Sequence, residues 1–138
     1  GLSAYAPEDR FPGDIPLSVY SRGMGAIGLP GDLSSQSRFI RAAFVRGASV
    51  SGCGEEESVS QCFHILGAAE QQRGCCRLKN NKNEITIYTS CINANRGIYY
   101  YTSYENSQIT AVDMHKDLDA KTLICYPFLC KQNIFYQN

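Results

Sequence analysis

Arg38 is the residue in this sequence best placed to do chemistry. It falls in the first turn of a predicted helix whose other residues are mostly apolar. The start of a helix already carries partial positive charge, so a cation there loses about 0.3–1 kcal/mol rather than gaining it. An arginine set against the dipole, directly after a glycine-rich loop, calls for an anionic partner. A carboxylate, a thiolate or an oxyanion would serve, and so would an internal salt bridge to Asp32. Arg41 and Arg46, further along the same helix, read as ordinary surface or interface residues.

Other chemistry-bearing residues are weaker candidates. Cys62 and His64 offer a nucleophile and a base, but residues two apart on a helix point in different directions. His64 therefore reads as a buried, hydrogen-bonded histidine. His115 sits in a polar turn without an evident partner. Neither histidine has neighbours at metal-ligand spacing, so no metal and no cofactor is expected. Gly23-Met24-Gly25-Ala26-Ile27-Gly28 matches the dinucleotide fingerprint letter for letter. A dinucleotide site needs a strand before the glycines and a helix opening among them. Here prolines precede the run, and Leu29-Pro30-Gly31 follows it. The glycines instead suit a tightly folded loop, with Pro30-Gly31 at the centre of a type II turn. Tyr99-Tyr100-Tyr101 could stack nucleobases, but in a strand Tyr100 faces away from its neighbours and no basic groove accompanies them. Sheet packing accounts for them better.

The seven cysteines (Cys53, Cys62, Cys75, Cys76, Cys91, Cys125 and Cys130) are odd in number and contain no Cys-x-x-Cys. They read as reduced thiols used for packing in a cytoplasmic protein.

These residues must be positioned by a definite order of elements. Residues 5–35 are rich in proline and glycine without periodicity, and read as one long ordered loop. A loop of that length is functional or an interface. Ser34 caps a helix from Ser35 to about Gly47. Phe39, Ile40, Ala42, Ala43, Phe44 and Val45 cover most of its circumference, which predicts a largely buried helix. A polar link over 51–56 leads to a second helix over about 57–73, with Val59, Cys62, Phe63, Leu66 and Ala69 on one apolar face. From residue 85 the pattern alternates, with Ile85, Ile87 and Thr89 against Thr86, Tyr88 and Ser90. Ile98–Tyr104 and Ile109–Met114 form a pair around Glu105-Asn106-Ser107, and Leu123–Leu129 forms a last strand with Pro127 marking an edge or bulge. Two helices followed by antiparallel strands, at least four of them, indicate an α+β fold, with 84–130 as the strand region of a single domain spanning 1–138.

Composition narrows the partners. Thirteen basic residues balance 13 acidic ones, so no net field draws the chain to nucleic acid or an anionic membrane. No apolar run approaches the roughly 20 residues that cross a bilayer.

The block from Ser21 to Phe44, with Gly28-Leu29-Pro30-Gly31-Asp32 and Ser37-Arg38-Phe39, resembles the choloylglycine hydrolase family of bile salt hydrolases and penicillin V acylases. Phe63-His64-Ile65-Leu66, Tyr88-Thr89-Ser90-Cys91, Gly97–Tyr101 and Tyr104–Ile109 resemble later family segments in the same order. The resemblance implies the C-terminal part of an N-terminal-nucleophile hydrolase, a four-layer α/β/β/α sandwich. It implies bacterial hydrolysis of glycine- or taurine-conjugated bile acids by an N-terminal cysteine. This chain begins Gly1-Leu2-Ser3, so the nucleophile and the oxyanion-hole residues are expected outside it, and the chain alone is expected to be inactive. Of the family's catalytic residues only one arginine maps here, onto Arg38, beside the thiolate. The resemblance further implies a tetramer held through a loop like Asp9–Tyr20. A penicillin V acylase fragment, or a non-catalytic binding or assembly module, are the alternatives.

Overall fold

A computed structural model describes residues 23–138. The expectations for residues 1–22, including the Asp9–Tyr20 loop, lie outside the described residues.

The chain enters through a short 3-10 turn at Met24–Ala26, closed by Ala26 N–H to Gly23 O and Leu29 N–H to Ala26 O. Gly23 and Gly28 adopt positive φ, but Gly31 does not. A type II turn needs positive φ at its third residue, so Pro30-Gly31 is not one. The carbonyls flanking it are instead taken by Arg41, whose Nη1 donates to Pro30 O at 3.0 Å and to Asp32 O at 2.6 Å.

Helix α1 spans Ser35–Ala48 and helix α2 spans Glu55–Gly67. Ser34 caps α1 as its sequence predicts, its hydroxyl accepting from Ser37 N–H. The helix runs one residue past Gly47, and Ser49 closes the end by donating N–H and Oγ–H to Val45 O. α1 is also not the buried helix its composition suggested: Phe39 is 73% exposed and Ser37 is its one buried residue. The physical reason is that α1 meets α2 along one side and no other described helix or strand covers the rest.

α2 begins two residues earlier than expected because Gly54 serves as cap and the Glu57 carboxylate reaches back to its N–H. Glu55, Glu56 and Glu57 then all favour the positive helix end. It ends six residues earlier than expected. Residues 68–70 wind on with tighter bonds to 65–67, and Gln71 leaves the helix to exchange bonds with Thr86.

Three antiparallel strands follow, β1 Tyr88–Asn93, β2 Ile98–Ser103 and β3 Asn106–Asp113, ordered β1-β2-β3. β1 starts later than its alternation suggested because Glu84 and Thr86 give their N–H groups to Cys76 O and Gln71 O, away from the sheet. β3 starts earlier, after a two-residue turn at Tyr104-Glu105. The fourth expected strand, 123–129, is not paired as a strand. Pro127 lacks an N–H, and this segment is tied to the sheet through side chains instead. Ser103 Oγ donates to Leu129 O, and Phe128 stacks on Tyr101 at 5.7 Å between ring centroids.

The register puts Cys91, Tyr100 and Ala111 on the face toward α2, and Tyr99, Tyr101 and Val112 on the face away from it. On that second face Ile87, Tyr88, Met114 and Phe128 help line an open apolar groove of about 570 Å³. Among the described residues Tyr101 is the only buried hydrophobic side chain. The sheet thus meets helix on one side and the segment carrying Phe128 and Leu129 on the other.

Candidate functional site

Asp32 organises the start of α1. Its carboxylate accepts from Ser34 N–H at 2.9 Å and from the Ser37 hydroxyl. The hydroxyls of Ser34 and Ser37, with the Ser34 N–H, hold the Asp32 carboxyl down to about 2. This carboxylate serves the helix cap, not an arginine: among the described residues no ion pair joins Asp32 to Arg38.

Arg38 is half-buried. Its Nε donates to Ala69 O at 2.7 Å, while neither terminal nitrogen has a hydrogen-bond acceptor among the described residues. Among the described residues the guanidinium is therefore gripped along one edge and open along the other. Three clefts at the sheet, formed by described residues, are lined by other residues and not by Arg38.

Arg41, read as an ordinary surface or interface residue, joins three segments of the chain. Besides the two loop carbonyls, its Nε donates to Ala68 O at 3.0 Å. Consecutive carbonyls at the end of α2 are thus capped by two arginines one turn apart on α1. Those carbonyls are the orphaned, electronegative end of the helix. Arg46 stays exposed, as expected. Gln71, which sequence reasoning missed, is 4% exposed and donates Nε2–H to Leu33 O at 3.3 Å. Its only advance signal was a polar residue on a helix it turns out not to belong to.

The other end of α2 is anchored to the sheet. Glu55 accepts from Tyr100 Oη at 2.8 Å and from Asn93 Nδ2 at 2.5 Å, and pairs with Arg96. The Tyr100 hydroxyl, then Asn93 and Arg96, hold the Glu55 carboxyl below its usual range, and Glu55 in turn pushes Tyr100 up. His64 is exposed rather than buried, because its side of α2 meets a shallow cleft shared with Thr89, Thr102 and Ile109. Cys62 points elsewhere, as the helical spacing required, and meets Cys91 of β1. Burial, then the neighbouring Cys62, push the Cys91 thiol up to about 11. Those two line a second cleft of about 320 Å³ with Cys53 and Glu55. All seven cysteines are free thiols. Among the described residues no group of three or more histidine, cysteine or acidic residues could hold a metal ion, and no helix is long and apolar enough to cross a membrane.

The family description "linear amide C-N hydrolases, choloylglycine hydrolase family" matches residues 1–126. A bile salt hydrolase/transferase of Lactiplantibacillus plantarum is 49% identical over 99% of the chain, and one of Clostridium perfringens is 42% identical over 84%. The chain covers 43% and 36% of those proteins. A crystal structure of a cysteine-to-alanine variant of conjugated bile acid hydrolase from C. perfringens superposes with a TM-score of 0.87 at 38% identity, over 100% of this chain and 42% of that one. Penicillin V acylase from Agrobacterium tumefaciens shares the fold, with a TM-score of 0.54 at 23% identity over 64% of the chain. The α+β class read from the sequence, and the resemblance carried by the Ser21–Phe44 block, both hold. The chain belongs to the choloylglycine hydrolase family of linear amide C–N hydrolases.

Proposed function

We propose that this chain is the C-terminal part of a conjugated bile salt hydrolase and supplies the arginine that keeps its nucleophile ionised. The likeness to the L. plantarum protein over nearly the whole chain carries this reading. The chain spans less than half of that relative's length, and the remainder would bring the N-terminal cysteine and the oxyanion-hole donors.

In the assembled site the cysteine thiolate attacks the amide carbonyl of a glycine- or taurine-conjugated bile acid. The amine leaves, and water releases the bile acid from the acyl-cysteine. Arg38 acts before attack. A guanidinium within a few ångströms of a thiol favours the charged form, lowering its pKa by about 1–3 units. Its open edge, half-buried and without an acceptor among the described residues, is suited to that role. We take residues 1–138 as a portion of one domain, in a cytoplasmic bacterial enzyme that forms a tetramer through Asp9–Tyr20.

The test is a hybrid in which the part of the L. plantarum protein outside the match is joined to this chain. The hybrid is expected to release glycine or taurine from conjugated bile acids, with penicillin V as the comparison substrate. The 138-residue chain alone is expected to show no turnover. Turnover of a glycine-conjugated bile acid by the chain alone, or a folded hybrid without amidase activity, overturns the reading.

A further inference from the structure

The arrangement of two arginines on one helix end assigns work to the second of them. Arg41 holds three carbonyls at once, with Nε on Ala68 O and Nη1 on both Pro30 O and Asp32 O. One planar group therefore ties the loop before α1 to the end of α2. Ala69, the next residue, offers its carbonyl to Arg38 Nε at 2.7 Å. The peptide that carries Ala68 O donates Ala69 N–H to Leu66 O, and the next, which carries Ala69 O, donates Glu70 N–H to Gly67 O, so both carbonyls ride on one hydrogen-bonded turn and what holds Ala68 O also holds Ala69 O. What fixes Ala69 O sets the tilt of the Arg38 guanidinium and the direction of its open edge. The Asp32 carboxylate completes the loop by holding Ser34 and Ser37, and Gln71 holds Leu33 from the α2 side.

We propose that Arg41 is a positioning residue for Arg38: it locks the end of α2 against the 30–32 loop so that Ala69 O aims the Arg38 guanidinium. This rests on the reading of Arg38 as the partner of the nucleophilic thiolate. Lysine cannot substitute. Its single ammonium presents no planar fork, so it reaches one of the two segments and releases the other.

Two measurements test it. In the 138-residue chain, hydrogen exchange at the Arg38 Nε–H is followed by NMR in the unmodified protein and in Arg41→Lys. Arg41→Gln, an uncharged donor, serves as a second variant. The expected result is exchange faster by about tenfold or more in both variants, with the α1 amides still protected. Arg46→Lys, an exposed site on the same helix, leaves the Arg38 signal unchanged. In the hybrid enzyme, the acid limb of kcat/KM against pH reports the nucleophile's ionisation. Arg41→Lys is expected to move that limb up by about one pH unit, with KM little altered. A merely structural Arg41 would lower the melting temperature and leave the limb in place.

The inference is overturned if Arg38 Nε–H is unprotected in the unmodified chain, or keeps its protection in Arg41→Lys. It is also overturned if Arg38→Gln moves the acid limb and Arg41→Lys does not. An acid limb unmoved by Arg38→Gln removes the thiolate role of Arg38, and the positioning role falls with it. Protection at Nε–H then still reports whether Arg41 sets the geometry.

Discussion

The sheet face turned away from α2 should behave in opposite ways in the isolated chain and in the assembled enzyme. Five groove side chains, Ile87, Tyr88, Met114, Tyr126 and Phe128, are between 45% and 64% exposed. Full burial of such a side chain is worth about 1.5–3 kcal/mol, so covering what remains open gains roughly 1 kcal/mol each and about 5 kcal/mol together. Two copies meeting groove to groove cover both faces, about 10 kcal/mol in all, and association costs at least about 4 kcal/mol in lost freedom, which leaves at most about 6 kcal/mol, a Kd of about 0.04 mM or weaker. We therefore expect the chain alone to bind ANS and to associate as its concentration rises, read by sedimentation velocity. Replacing Ile87 and Met114 together by aspartate should abolish this association. In the hybrid enzyme the same pair should be ruinous. An unpartnered carboxylate forced into a dry interface costs about 3–5 kcal/mol, and two of them remove most of a typical stability of about 5–15 kcal/mol. Val50→Asp, at an 86% exposed site outside the groove, is the control and should change neither. If the double substitution leaves the hybrid's melting temperature and turnover intact, the groove faces water in the whole protein and the reasoning fails.

Three further outcomes can be checked. Because Asp32 has its pKa lowered from 3.8 to about 2 on folding, its contribution is present above about 3.8 and fades as pH falls toward 2. Amide exchange in the first turn of α1 should therefore rise over that window, and Asp32→Asn should remove the pH dependence. Cys91, raised to about 11 by burial and Cys62, should be the last thiol labelled by a disulfide reagent at pH 8, after exposed Cys53 and Cys125; mass spectrometry showing early labelling of Cys91 would contradict this. Gly97 is buried at φ +63, and an added Cβ would lie 2.3 Å from the exposed ring of His115. Gly97→Ala should cost about 1–2 kcal/mol for the backbone alone, seen as a lower urea midpoint, and Gly97→Asn should recover part of it because asparagine tolerates this conformation.

What could be read from the sequence was what depends on local chemistry. Ser34 capped α1 because a hydroxyl one residue before an apolar run has few other uses. The tyrosine run became β2 because alternating faces of a pleated strand suit it. Misreadings occurred where tertiary bonds overrode local pattern. α2 appeared to run on to Arg73, since nothing local reveals that Thr86 would claim Gln71. The strand from Ile85 lost its first residues to partners in the 71–76 segment. α1 looked buried because its apolar residues were counted, while among the described helices and strands only α2 packs against it. At the site, Arg38 stood out because its charge opposed the helix dipole. Arg41 carried no such signal, because its acceptors are all main-chain oxygens and leave no mark in side-chain types.

That choice of acceptor has a consequence for how this region tolerates change. Ala68, Ala69, Pro30 and Asp32 are addressed by the two arginines only through their carbonyls. Any residue that keeps the chain path can stand at positions 68 and 69 without disturbing the joint, whereas neither guanidinium has an isosteric substitute. Sequence drift should therefore be lopsided across this contact, free on the receiving helix and frozen on the donating one.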